Sequence, residues 1–106
     1  MPHYLIEATY TSEGVAGIAA KGGTARRDAI SKMISDAGGS IECFYFAFGD
    51  VDVYTIIELP SDEAVAALAL SINQSSYTKV RTTVLLTPEQ IDTAASNTPE
   101  YKPPGA

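Results

Sequence analysis

One segment, Phe46 to Pro60, restricts the possible folds of this chain more than any other. An aromatic-rich run from Ile41 to Phe48 precedes Gly49-Asp50, and a β-branched run from Val51 to Leu59 follows. Aromatic and β-branched residues favour strands, and a Gly-Asp turn between two such runs predicts a β-hairpin. Proline cannot donate a hydrogen bond to a neighbouring strand, so the second strand ends before Pro60.

The rest of the chain alternates between strand and helix patterns. In chain order the patterns predict a strand at 4–9, helices at 11–20 and 24–37, the hairpin, a helix at 61–72, a strand at 78–86 and a short helix from 87. Thr24 and Ser61 are the expected caps of the two main helices, and Gly38-Gly39 ends the first of them in the left-handed conformation. We expect one domain over residues 1–96 and a flexible, proline-rich tail over residues 97–106.

The order β, α, β, β, α, β indicates an α+β fold of the ferredoxin-like type. Two right-handed β-α-β crossovers interleaved in this way give a four-stranded antiparallel sheet with the helices on one face. The other face of the sheet is then left uncovered.

Composition excludes several functional classes. The net charge is −6 and the basic residues are scattered apart from Arg26-Arg27, so nucleic acid is not an expected partner. We find no apolar run long enough for a signal peptide or a membrane span, and we expect a cytoplasmic protein that does not bind membranes. His3 is the single histidine, which argues against a metal site, and no cofactor motif is present.

Alternation along the strands divides their side chains into two sets. The set expected under the helices consists of Tyr4, Ile6, Ala8, Ile41, Cys43, Val53, Ile57, Val80 and Val84. The opposite set consists of Leu5, Glu7, Phe44, Phe46, Tyr54, Ile56, Glu58, Arg81, Thr83 and Leu85. Because this second set is too apolar to face water, we expect a homo-oligomer, a dimer or higher, in which two sheets pack face to face.

Three segments carry a resemblance to a known family. They are Gly49-Asp50-Val51-Asp52 with Ile56 to Ala64 after it, Thr11-Ser12-Glu13-Gly14, and Val80-Arg81-Thr82-Thr83. From Tyr4 to about Ile91 the chain resembles the GYD-domain family, with Val51 in place of the family's tyrosine. The resemblance implies the dimeric α+β barrel arrangement, in which the sheets of two subunits pair.

The candidate catalytic residues are Glu58, Glu7 and Arg81, which alternation places on the open face. A carboxylate desolvated between two sheets can act as a general base, with Arg81 as the oxyanion partner. The alternative is a structural ion pair between Arg81 and one of the glutamates. Phe44, Phe46 and Tyr54, together with Glu58 and Arg81, are the candidate ligand-binding residues, since aromatic side chains suit a flat ligand.

Other motifs favour structural interpretations. Asp50 and Asp52 suit a turn better than a cation site, because short carboxylate side chains accept hydrogen bonds from local backbone amides. The glycines around Gly14 and Gly22 fit neither a dinucleotide nor a phosphate-loop spacing, so we interpret them as sites of loop flexibility.

The sequence leaves three functions open. The first is a small oligomeric protein that binds an apolar or aromatic molecule between its sheets. The second is an isomerase, lyase or monooxygenase of the dimeric α+β barrel type that works without a cofactor. The third is a structural assembly module without a ligand. Whether the protein is an enzyme is therefore left open at this stage.

Overall fold

A computed structural model describes all residues from Met1 to Ala106. The elements are β1 (His3–Tyr10), α1 (Ser12–Lys21), α2 (Gly23–Asp36), β2 (Ser40–Phe46), β3 (Val53–Glu58), α3 (Asp62–Asn73), β4 (Thr78–Leu85) and α4 (Pro88–Ser96). The four strands form one antiparallel sheet in the order β2-β3-β1-β4. The predicted ferredoxin-like α+β fold is confirmed. None of the helices combines the length and apolar character needed to cross a membrane.

The helix starts follow local capping rules at three of four positions. Thr11 caps α1, Ser61 caps α3, and the Thr87 and Gln90 side chains form a reciprocal capping box at α4. The predicted cap at Thr24 is wrong, because α2 already begins at Gly23. Gly22 precedes it with a φ of +87°, a conformation that glycine adopts without steric cost.

The core lies between one face of the sheet and the helices α2 and α3. Its buried cluster consists of Tyr4, Ile6, Ile34, Ile57, Leu59, Val65 and Leu68. Alternate residues of β1 and β3 supply the sheet side, as predicted, and Ile34, Val65 and Leu68 supply the helix side. The Tyr4 hydroxyl donates a hydrogen bond to Asp62 Oδ1 at 2.7 Å, which ties β1 to the start of α3. The two helices therefore cover the same face.

Strand β2 departs from regular alternation. Ile41 pairs with Ile57 but Cys43 pairs with Ile56, so the strand contains a bulge at Glu42. Beyond a bulge every side chain changes face. Phe44 and Phe46 therefore lie on the helix side, where they pair with Thr55 and Val53.

Three face assignments from the sequence are consequently wrong. Cys43 lies on the open face rather than under the helices, and Phe44 and Phe46 lie under the helices rather than on the open face. The Phe46 ring packs so closely on Gly23 that a Cβ there would lie 2.8 Å from it. The bulge exchanges a thiol for two phenyl rings on the helix side of the sheet, which increases the apolar area that the helices cover, although Phe46 remains 40% exposed.

The hairpin loop is held by one carboxylate. Strand β2 ends at Phe46 and strand β3 begins at Val53, so the hairpin loop spans residues 47–52 and includes the predicted Gly49-Asp50 turn. Asp52 Oδ2 accepts a hydrogen bond from the Tyr10 backbone amide at 2.8 Å, and its own amide donates to the Ala8 carbonyl. Asp52 thus fastens the loop to the end of β1, in agreement with the structural interpretation.

Candidate functional site

The uncovered face of the sheet presents three rows of side chains across its four strands. We call this surface the open face. In the order β2, β3, β1, β4 the rows are Ser40, Glu58, His3, Leu85, then Cys43, Ile56, Leu5, Thr83, then Tyr45, Tyr54, Glu7, Arg81. A mainly apolar row therefore separates two rows that carry ionisable groups.

The first row brings a histidine between two carboxylates. His3 Nε2 lies 3.5 Å from Glu58 Oε1, and His3 Nδ1 lies 3.5 Å from Glu42 Oε2. The Ser40 hydroxyl donates a hydrogen bond to Glu58 Oε2 at 3.3 Å. We call these four residues the His3 cluster. The bulge creates it, because the extra residue in β2 brings the Glu42 carboxylate to His3.

The third row contains an ion pair. Arg81 Nη2 lies 2.6 Å from Glu7 Oε2, as their register across β1 and β4 requires. The Glu7 side chain is 23% exposed and the Arg81 side chain is 76% exposed. Glu7 thus has a partner, whereas most of the Arg81 side chain remains open to further contacts.

Two tyrosines continue this row toward the edge formed by β2. Tyr54 pairs in register with Glu7, and Tyr45 pairs with Tyr54. Their exposures of 43% and 69% are high for aromatic residues on a sheet. Both rings are therefore available to a second surface or a ligand.

The structure brings some of the predicted site residues together and separates others. Glu7, Tyr54 and Arg81 share the third row, whereas Glu58 lies in the first row beside His3. Phe44 and Phe46 contact each other edge to face at 5.4 Å, but on the helix side of the sheet. They do not line the open face.

Besides Cys43, four residues of this surface were not assigned to the open face from the sequence: His3, Ser40, Glu42 and Tyr45, of which Tyr45 had been named only as a possible aromatic wall for a ligand. The position of His3 could have been predicted, because alternation along β1 places it on the same face as Leu5 and Glu7. The other three lie on β2, and nothing in their local sequence marks the bulge. Their placement depends on pairing with β3.

The chemistry available on the open face is proton transfer and polar recognition. Imidazole and carboxylate groups can exchange protons with a bound molecule, and Arg81 can stabilise an anion. No group of three or more histidine, cysteine, aspartate or glutamate side chains has a geometry that could hold a metal ion.

A comparison with protein families gives one match. The family model described as the GYD domain matches residues 4–95, which is most of the chain. No curated protein sequence and no solved structure matches the chain significantly.

Proposed function

The chain belongs to the GYD-domain family, and from this premise we propose that two copies pair through their open faces and bind a small apolar or aromatic molecule between the sheets. The observation that carries the proposal is the open face itself. It combines Leu5, Ile56 and two exposed tyrosines with a His3 cluster and an arginine, and the core cluster includes none of these residues. Such a surface is typical of an interface rather than of a face exposed to water.

A second copy is favoured because the rows are self-complementary. Consider a two-fold axis that lies between the two sheets, parallel to the strands and level with the gap between β1 and β3. Rotation about this axis places β1 opposite β3 of the partner subunit, and β2 opposite β4 of the partner subunit. Ile56 then faces Leu5 of the partner subunit, Glu58 faces His3 of the partner subunit, and Tyr45 faces Arg81 of the partner subunit. These contacts are apolar, ionic and cation–π respectively, so each row finds a suitable partner.

The same axis leaves space for a ligand near each edge of the paired sheets. Cys43 faces Thr83 of the partner subunit there, and two small side chains do not fill the roughly 10 Å that separates packed sheets. Tyr45 forms an aromatic wall beside this space, and Arg81 of the partner subunit adds a cation. The ligand is therefore expected to be flat and largely apolar, with an electron-rich group toward the arginine.

Cross-linking tests the pairing directly. In the variant Thr83→Cys, a short bismaleimide should join the native Cys43 of one copy to the introduced thiol of the other and give a covalent dimer. The control is Thr82→Cys, because Thr82 pairs with Ile6 and lies on the helix side. Equal dimer yields from the two variants, or none from Thr83→Cys, would exclude this arrangement.

A filled-cavity variant tests the ligand. 2-Naphthol, a neutral aromatic probe, should bind saturably to the wild type, and Ile56→Trp should abolish binding by occupying the space between the sheets. Leu70→Trp adds the same ring on the outer face of α3, where Leu70 is 72% exposed, and should change nothing. Unchanged probe affinity in Ile56→Trp would show that the probe does not bind between the sheets.

The His3 cluster favours a second candidate, a proton-transfer enzyme that needs no cofactor. A carboxylate oxygen lies 3.5 Å from each ring nitrogen, so the imidazole can exchange protons with Glu58, which can act in turn as the base toward a molecule on the open face. Exchange of solvent deuterium into cyclic enolisable ketones should then fall in His3→Gln and in Glu58→Gln. Glu63→Gln, in the first turn of α3, is the control. Exchange rates that equal the buffer rate in the wild type would rule out this activity for such ketones.

A further inference from the structure

A cavity of about 500 Å³ lies on the helix side of the sheet, between α1, α2 and the residues that lead into β4. We call it the Arg26 cleft. Its walls include Gly14 and Gly17 of α1 together with Ala25 and Ala29 of α2. The small side chains at Gly17, Ala25 and Ala29 leave part of the space between the two helices unfilled. A Cβ on Gly17 would meet no atom within 4 Å, so this glycine faces open space.

The glycines here are therefore not sites of loop flexibility, as the sequence had indicated. Gly14 and Gly17 lie inside α1, where glycine weakens a helix relative to alanine. Gly14 is explained by packing, because a Cβ there would clash with the Tyr77 carbonyl oxygen, whereas at Gly17 the helix loses stability and gains space. This exchange is typical of a binding site rather than of a packed interface between helices.

Arg26 gives the cleft its chemistry. It lines the cavity, and its guanidinium carbon lies 5.8 Å from the centre of the Tyr10 ring, which forms part of the same wall. Arg26 Nε is buried and has no hydrogen-bond acceptor. The Arg26 side chain makes no hydrogen bond and no ion pair with the protein, so its terminal amino groups remain available to an acceptor in the cleft.

The other two arginines of the chain differ from Arg26 in this respect. Arg27 pairs with Asp28 at 3.2 Å, and Arg81 pairs with Glu7. No carboxylate forms an ion pair with Arg26. Lys21 also lines the cleft and adds a second positive charge, whereas the Glu13 carboxylate in the same wall accepts a hydrogen bond from Ser76.

We propose that the Arg26 cleft binds a small organic monocarboxylate with a flat apolar body. The carboxylate accepts hydrogen bonds from Arg26, in the fork geometry that guanidinium groups offer, and the body lies over Gly17 and Ile18. A dianion such as a phosphate monoester fits less well, because Glu13 lies in the wall. The volume is in the range of small-molecule sites, roughly 300–1,000 Å³.

This site is independent of the proposed space between the sheets. Tyr10 and Arg26 lie on the helix side, whereas the ligand space of the proposed dimer lies on the open face. The net charge of −6 also disfavours general attraction of anions, so binding of a monocarboxylate requires local recognition.

Benzoate and its neutral counterpart benzamide are suitable probes. Isothermal titration calorimetry should show saturable binding of benzoate, with a dissociation constant in the millimolar range or below, and at least tenfold weaker binding of benzamide. Arg26→Gln should weaken benzoate binding at least tenfold. Arg27→Gln is the matched control, since the neighbouring arginine already has a carboxylate partner, and should leave the affinity unchanged.

Gly17→Leu gives a test that does not depend on charge. The new side chain enters the cleft without a clash, so the variant should fold with a melting temperature at or above that of the wild type and should lose benzoate binding. Ile56→Trp, which blocks the open face, should leave benzoate binding intact. Absence of saturable benzoate binding, equal binding of benzamide, or wild-type affinity in Gly17→Leu would each overturn the proposal.

Discussion

Replacing Tyr54 by serine should separate the proposed dimer into folded monomers. Tyr54 is 43% exposed on the open face, and an aromatic side chain has roughly 200 Å² of surface, so pairing removes about 90 Å² per copy from water. The two copies together lose about 180 Å². At about 25 cal/mol per Å², this burial contributes roughly 4 to 5 kcal/mol to association.

A loss of that size should raise the dimer dissociation constant about a thousandfold, since 1.4 kcal/mol corresponds to a factor of ten. Sedimentation equilibrium over a range of protein concentrations measures the constant, and circular dichroism establishes that Tyr54→Ser remains folded. Leu70→Ser is the control, because Leu70 is 72% exposed on the helix layer, away from the open face. It should leave the dissociation constant unchanged.

Three results would refute this reasoning. A folded wild-type monomer at micromolar concentration would mean that the open face is stable in water. A Tyr54→Ser dimer as tight as the wild type would mean that the copies associate through another surface. Equal weakening in Tyr54→Ser and Leu70→Ser would have the same consequence, since Leu70 is not on the open face.

Three further predictions concern the fold. Burial, followed by the hydrogen bond to Asp62, raises the pKa of Tyr4 to about 12 from an unfolded value near 10. The phenol of Tyr4 therefore contributes fully to stability below pH 10, and this contribution is lost between about pH 10 and 12. The free energy of unfolding, measured with denaturant, should fall less over this pH range in Tyr4→Phe than in the wild type. Asp52→Ala should lower the free energy of unfolding by about 1–3 kcal/mol, because the Tyr10 amide loses its acceptor, while Asp50→Ala should change it by less than about 0.5 kcal/mol. Deleting Glu42 should preserve the pairing of Phe44 with Thr55, which amide hydrogen exchange and NMR can verify; a shifted register would contradict the assigned bulge.

The fold could be predicted from the sequence because its signals are local. Ser61 and the Thr87-Pro88 pair are caps whose effects extend only a few residues, and both lie where they were expected. Gly38 adopts the predicted left-handed conformation, with a φ of +89°. Alternation in β1 and β3 assigned the core correctly, since neither strand is interrupted.

The candidate site was less predictable because it depends on contacts between strands. The ion pair between Arg81 and Glu7 was anticipated, since it requires only the strand order and parity within β1 and β4. The His3 cluster was not, because it joins residues of β1, β2 and β3 and needs the exact register of all three. A lone histidine in a sequence gives no indication of the carboxylates that surround it after folding.

The bulge at Glu42 shows why the two phenylalanines were misassigned. Parity counted from Ile41 places Cys43 and Tyr45 under the helices and Phe44 on the open face. The structure reverses this because a phenyl ring gains more from burial than a phenol, whose hydroxyl group must find a hydrogen-bond partner inside a core. Tyr45 keeps its hydroxyl in water on the open face, while Phe44 lines the interior beside Ile30 and Ile34.

The same bulge links the core to the proposed function. One extra residue in β2 places two phenyl rings under the helices, and it also gives the open face its Tyr45 ring and brings Glu42 to His3. A regular strand would have put Phe44 and Phe46 on the open face, where two apolar rings would favour tight sheet packing and leave little space for a ligand. The mixture of apolar and ionisable side chains on the open face is therefore a consequence of how β2 places its phenylalanines under the helices.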